Sequence, residues 1–115
     1  MELKPALRKL RASCGAAASA VISRDGLIIA ADVPEGVSQE TFAIMCATLL
    51  GAASTANSEL KVGTPQHVIV ESEDAKMVVA GAGRKALLVT VINRKADEKL
   101  AMQKLDEIAE TLKLL

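Results

Sequence analysis

A general base, nucleophile or metal ligand needs companions at a workable spacing, and this chain supplies few. His67 is the only histidine. It falls within a run that alternates like a strand, with no second base or ligand near it in sequence, so it reads as a strand or interface residue. Cys14 and Cys46 lie at apolar positions of predicted helices. They lack the Cys-x-x-Cys spacing of a metal or redox site and read as small hydrophobes. Gly81-Ala82-Gly83 sits between two predicted strands, where it makes a turn rather than a dinucleotide loop. The Gly-Lys-Ser/Thr ending of a phosphate loop is absent. Asp25 is a turn residue without a partner carboxylate. Arg24 and Arg84, both at turns, have the reach of arginine fingers, although exposed turn arginines are usually just solvated. The residues therefore call for no metal and no cofactor, and the chain is expected not to be an enzyme.

Composition narrows the partners. Fourteen basic residues balance fourteen acidic ones, and no long run of one sign draws the chain toward nucleic acid or an anionic membrane. Phe42 is the only aromatic residue, which disfavours the base stacking used by single-strand binders. The first helix carries a basic face, Lys4, Arg8, Lys9 and Arg11, read as solvated. The N-terminus is charged where a secretory signal would be apolar, so a soluble, cytoplasmic setting is expected. At 115 residues the chain, 1–115, should form a single domain.

The elements that must position any site follow in order. Leu3, Leu7, Leu10 and Cys14 recur at helical spacing, and Gly15 ends that helix. Two short apolar runs, AAASAVIS and LIIAAD, flank Asp25-Gly26 and predict a hairpin. Ser38 should cap a long central helix, with Glu40 favourable in its first turn, and Lys61 should close it before Gly63-Thr64-Pro65. Residues 66–72, 76–82 and 86–93 predict a meander whose last strand, apolar on both faces, belongs in the middle of a sheet. A final amphipathic helix is expected from about Ala96 to Leu114. The order is α-β-β-α-β-β-β-α, an α+β domain with an antiparallel sheet and helices on both faces.

The chain is organised around the central helix. Between Glu40 and Glu59 no side chain is charged, whereas an ordinary surface helix has one apolar stripe and one charged face. Phe42, Met45, Leu49, Ala53, Ala56 and Leu60 form one side, taken as the core face. Ala43, Ala47, Leu50, Gly51 and Ser54 form the other, with Ile44, Thr48 and Thr55 beside them, small and uncharged. The segment is too diluted by Thr, Ser, Asn and Gly to span a membrane. A monomer would leave the second face as an apolar patch in water. The strand after the helix, with His67, Ile69 and Glu71 on one side, would leave an edge unpaired. A two-fold axis beside that strand answers both needs, and predicts a homodimer joined through Ala43, Ala47, Leu50, Gly51, Ser54, His67, Ile69 and Glu71.

The order of elements, the segment Val21-Ile22-Ser23-Arg24-Asp25-Gly26-Leu27-Ile28-Ile29-Ala30 and the long small-residue helix behind it resemble the Roadblock/dynein light chain family over essentially the whole chain. The spacing to VIVES and ALLVTVIN fits as well. The resemblance implies a five-stranded antiparallel sheet in a profilin-like sandwich, with the first and last helices on one face and the central helix on the other. It also implies dimerisation through the third strand and central helix. Two departures stand out: the first strand is unusually rich in Ala, and charged Asn93-Arg94-Lys95 replaces a short linkage before the last helix.

What the resemblance implies for function is a platform. Similar proteins bind small Ras-like GTPases as scaffolds or activators, or serve as motor-complex light chains. The leading expectation is a non-catalytic homodimeric module that regulates or scaffolds a small Ras-like GTPase. Its surface would be built by paired central helices, with Glu40, Thr48, Thr55 and Glu59 as the partner-binding rim. The alternative is a structural adaptor that assembles a larger complex without GTPase regulation. A small-ligand sensor would need convergent polar groups that the sequence does not supply.

Overall fold

The most apolar run becomes the middle of the sheet. In the computed structural model, which describes residues 2–94 and 96–113, the elements are α1 (Leu3–Cys14), β1 (Ala16–Ser23), β2 (Ile28–Asp32), α2 (Gln39–Leu60), β3 (His67–Glu71), β4 (Ala75–Ala82), β5 (Ala86–Asn93) and α3 (Glu98–Lys113). The five strands form one antiparallel sheet of order β2-β1-β5-β4-β3. β5 lies at its centre because its side chains are apolar on both faces and each face has a helix layer to meet.

Each layer has its own core. Leu7, Leu10 and Cys14 of α1 and Leu105, Ile108 and Leu112 of α3 pack with Val21, Val78, Leu88 and Ile92 on one face of the sheet. Ala43, Cys46 and Leu50 of α2 pack with Ala20, Ile22, Val79, Leu87 and Val89 on the other. The first and last helices thus share one face and the central helix covers the opposite one. The Ala-rich β1 fits this plan, since small side chains let helices approach from both sides.

Local signals explain the boundaries. Gly15 ends α1 in the left-handed conformation, φ 69°, and its amide bonds the carbonyl of Arg11. Ser38 caps α2 by accepting the amide of Thr41, and Lys61 closes the helix at φ 54°. The Asp25-Gly26 hairpin is real but longer than a two-residue loop. Ser23 receives the amide of Gly26 and donates its own amide to Leu27, the three-residue loop in which a type I turn is followed by a positive-φ residue. Gly26 supplies that residue at φ 92°. The last helix starts two residues later than expected because Asp97 caps it, its carboxylate accepting the amide of Leu100 at 3.1 Å. Lys95 of the charged linker and Leu114, the expected last helical residue, lie outside the described residues.

One face assignment is corrected. Ala43 and Leu50, expected on the outer side of α2, are buried against their own sheet. Met45 and Leu60, expected in the core, are 55% and 71% exposed, and Ala56 is exposed too. Phe42, Leu49 and Ala53 are half-buried on the flank. A helix with charges only at its ends has no hydrophobic contrast to set its rotation, so shape decides: Ala43, Cys46 and Leu50 fit the closest approach to the sheet.

Candidate functional site

The outer face of α2 is long, uncharged and open. Ile44 is 48% exposed beside Met45, and Thr48, Gly51, Ala52 and Thr55 continue the strip toward Glu59. Thr48 turns its hydroxyl back onto the carbonyl of Ile44 at 2.8 Å, which leaves its methyl as the outward group. Glu40 and Glu59 are exposed at the two ends. Ala47 and Ser54 are half-buried at one margin, and Gly51 between them has open space where a Cβ would stand. The strip therefore offers a partner shape and apolar contact along most of its length, with carboxylates only at its limits.

The two edges of the sheet differ. At the β2 edge the pairing steps from Val21 opposite Ala30 to Ile22 opposite Ile28, leaving Ile29 as the extra residue of a bulge. A bulge twists an edge and protects it from further pairing. At the β3 edge the ladder runs unbroken from His67 opposite Ala80 to Glu71 opposite Lys76. Ser72 donates its amide to Ala75 at 2.9 Å, which fixes the parity of that ladder. Hydrogen-bonded and non-bonded pairs alternate in an antiparallel pair. Val70 and Val68 therefore share their amides with β4, while the amides and carbonyls of Glu71, Ile69 and His67 point off the open edge. Ile69 is 46% exposed there, and no Pro or Lys guards the strand.

The residues considered for chemistry are not brought together. His67 Nε2 lies 3.4 Å from Asp106 Oδ1 of α3. Arg24, exposed at its turn, lies along the neighbouring turn: its Nη2 donates to the carbonyl of Gly83 at 2.6 Å, across the face of Gly81. Its guanidinium thus braces two turns instead of projecting as a finger. Arg84 is exposed at its turn. Asp25 accepts the hydroxyl of Ser23, whose oxygen in turn receives the amide of Leu27. Cys14 and Cys46 are buried and unpaired, and burial pushes the Cys46 thiol up to about 11. Among the described residues no group of three His, Cys, Asp or Glu side chains is placed to hold a metal, and no helix is long and apolar enough to cross a membrane.

Sequence reasoning missed two features of this surface. Met45, expected in the core, joins Ile44 at its apolar end, a consequence of the helix rotation that the uncharged run concealed. The bulge at Ile29, which makes the two edges unequal, has no local signature, since Ile continues a strand pattern as well as it interrupts one.

A family model describing the Roadblock/LC7 domain matches residues 4–93. Two uncharacterised proteins of Methanocaldococcus jannaschii are 29% and 28% identical over 109 residues, each match covering 95% of this chain and 95% of the relative. Among solved structures, a Roadblock/LC7 domain from Streptomyces avermitilis superposes with a TM-score of 0.91 at 18% identity, covering 99% of this chain and 97% of that one. Myxococcus xanthus MglB gives 0.90 at 12% identity, covering 96% and 91%. Profilin IA of Acanthamoeba castellanii gives 0.69 at 14% identity over 97% of each chain. At these identities the superpositions establish the sandwich fold.

Proposed function

The chain belongs to the Roadblock/LC7 domain family, and we propose that it works as a homodimeric, non-catalytic platform that binds and regulates a small Ras-like GTPase. The observation that carries the reading is the pairing of two open surfaces in one small domain: the uncharged outer face of α2 and the unguarded edge of β3. Soluble domains rarely leave either in water. A two-fold axis beside β3 covers the edge with its own copy and brings the two α2 helices together over a continuous sheet. His67, Ile69 and Glu71 then form the strand contact, and Gly51, with Ala47 and Ser54 beside it, allows the helices to come close. Ala43 and Leu50 are left out of that contact because they serve the core of their own subunit.

The GTPase would sit on the surface shared by the paired helices, where Glu40, Thr48, Thr55 and Glu59 flank the strip begun by Ile44 and Met45. The platform contributes no catalytic group in this account. Arg24 is committed to Gly83, so any acceleration of hydrolysis would come from ordering the GTPase's own residues. The test is a pull-down with a panel of purified small GTPases loaded with GDP or a GTP analogue. One GTPase should be retained in a nucleotide-dependent way, and lost when Thr48→Arg is introduced. Retention of other proteins but of no GTPase in either state would favour the adaptor role instead.

A further inference from the structure

We propose that two β3 edges join in a single register centred on Ile69, so that His67 of each chain faces Glu71 of the partner subunit. The proposal rests on the dimer reading above and specifies what that reading leaves open, the residue-by-residue match across the axis.

Backbone parity limits the choices. Only His67, Ile69 and Glu71 turn their amides and carbonyls outward, as the Ser72–Ala75 bond requires. In a two-fold antiparallel pair, bonds form only where an outward residue meets an outward residue. Centring on Ile69 matches all three: His67 with Glu71, Ile69 with itself and Glu71 with His67. Centring on Val68 or Val70 matches only two residues of each strand, and a centre between residues sets outward groups against inward ones. The first alternative would extend the ladder toward Pro65, which has no amide hydrogen to donate.

Side-chain charge favours the same register. Directly opposed residues project to the same face of a sheet and interact as cross-strand pairs. Centring on Ile69 opposes imidazole to carboxylate twice, on either side of an apolar contact between the two Ile69 side chains. The shifted registers set Glu71 or His67 against Ile69. The groups facing His67 within its own chain are mixed: Asp106 at 3.4 Å, with Glu110, Lys113 and Arg24 lining the same cleft. Glu71 is 3.5 Å from Lys76, which is held more tightly by Glu98 at 2.7 Å. Glu71 is thus the carboxylate with capacity left for a second hydrogen-bond donor.

Single cysteines at 68, 69 and 70 read the register directly, because each register places a different one of them on the axis. An opposed bonded pair has Cα atoms about 5.5 Å apart, within disulfide range. Under mild oxidant the full-length protein should cross-link through Ile69→Cys and far less through Val68→Cys or Val70→Cys. Cross-linking at 68 or 70 in a protein that sediments as a dimer would overturn the register and leave the dimer standing. A monomer by sedimentation would overturn both. For the side-chain pair, His67→Ala and Glu71→Ala should each weaken association about three- to tenfold. The double variant should lose no more than either single one, because the two side chains act as one contact. Losses that multiply in the double variant would overturn the His67–Glu71 pairing.

Discussion

Gly26 lies beneath the backbone of α2, so that a Cβ built on it would stand 3.2 Å from the Cα of Ile44. The hairpin turn and the start of the exposed strip are therefore locked together. Gly26 also holds φ 92°, so a side chain there meets two obstacles, conformational and steric. Gly26→Val should destabilise the fold by about 1–3 kcal/mol through backbone strain, with the contact at Ile44 adding to it. Urea unfolding measures the cost. The same substitution should disturb partner binding, because the helix segment it displaces carries Ile44 and Met45.

Gly51 is the contrasting case. It occupies a helix interior with no atom near its missing Cβ and no positive φ. Within one subunit, Gly51→Ala should therefore stabilise α2 by roughly 0.5–1 kcal/mol, from the lower entropy of the unfolded chain. Gly51→Arg should still fold, since its side chain reaches solvent, but it should weaken the dimer. Circular dichroism read together with light scattering separates the two effects.

Burial raises the Cys46 thiol from its ordinary value to about 11. The neutral form is thus favoured in the folded state, and unfolding releases the proton more readily. The associated stability is present at neutral pH and is lost as pH rises from about 9 toward 11. Cys46→Val should reduce that alkaline loss. At pH 8 the native protein should leave Cys46 unmodified by iodoacetamide, and denaturant should expose it.

Much of this architecture was legible because it rests on local chemistry. Gly15, Ser38 and the Asp25-Gly26 pair act within a few residues of themselves, and the two-sided apolar character of β5 follows from its own side chains. The rotation of α2 was not legible. Its inward residues, Ala43, Cys46 and Leu50, differ from its outward ones, Met45 and Thr48, in shape more than in polarity. Only the sheet's contour distinguishes them. The inequality of the two edges was hidden for a related reason: the bulge at Ile29 arises from how β2 matches β1 and not from a residue type. The existence of an outer α2 face and an open β3 edge could be read from sequence, whereas the side chains forming that face needed the fold.

If β3 is the edge that joins two subunits, Ile69→Pro should separate them. The amide of Ile69 points away from β4, so proline at this position removes no bond from the subunit's own ladder, the placement in which edge strands tolerate it. It does remove the donor on the two-fold axis and adds a ring to the contact. Sedimentation velocity at micromolar concentration should show the wild type as a dimer and Ile69→Pro as a folded monomer with unchanged circular dichroism. A wild type that sediments as a monomer, or an Ile69→Pro protein that remains as firmly dimeric as the wild type, would contradict the account.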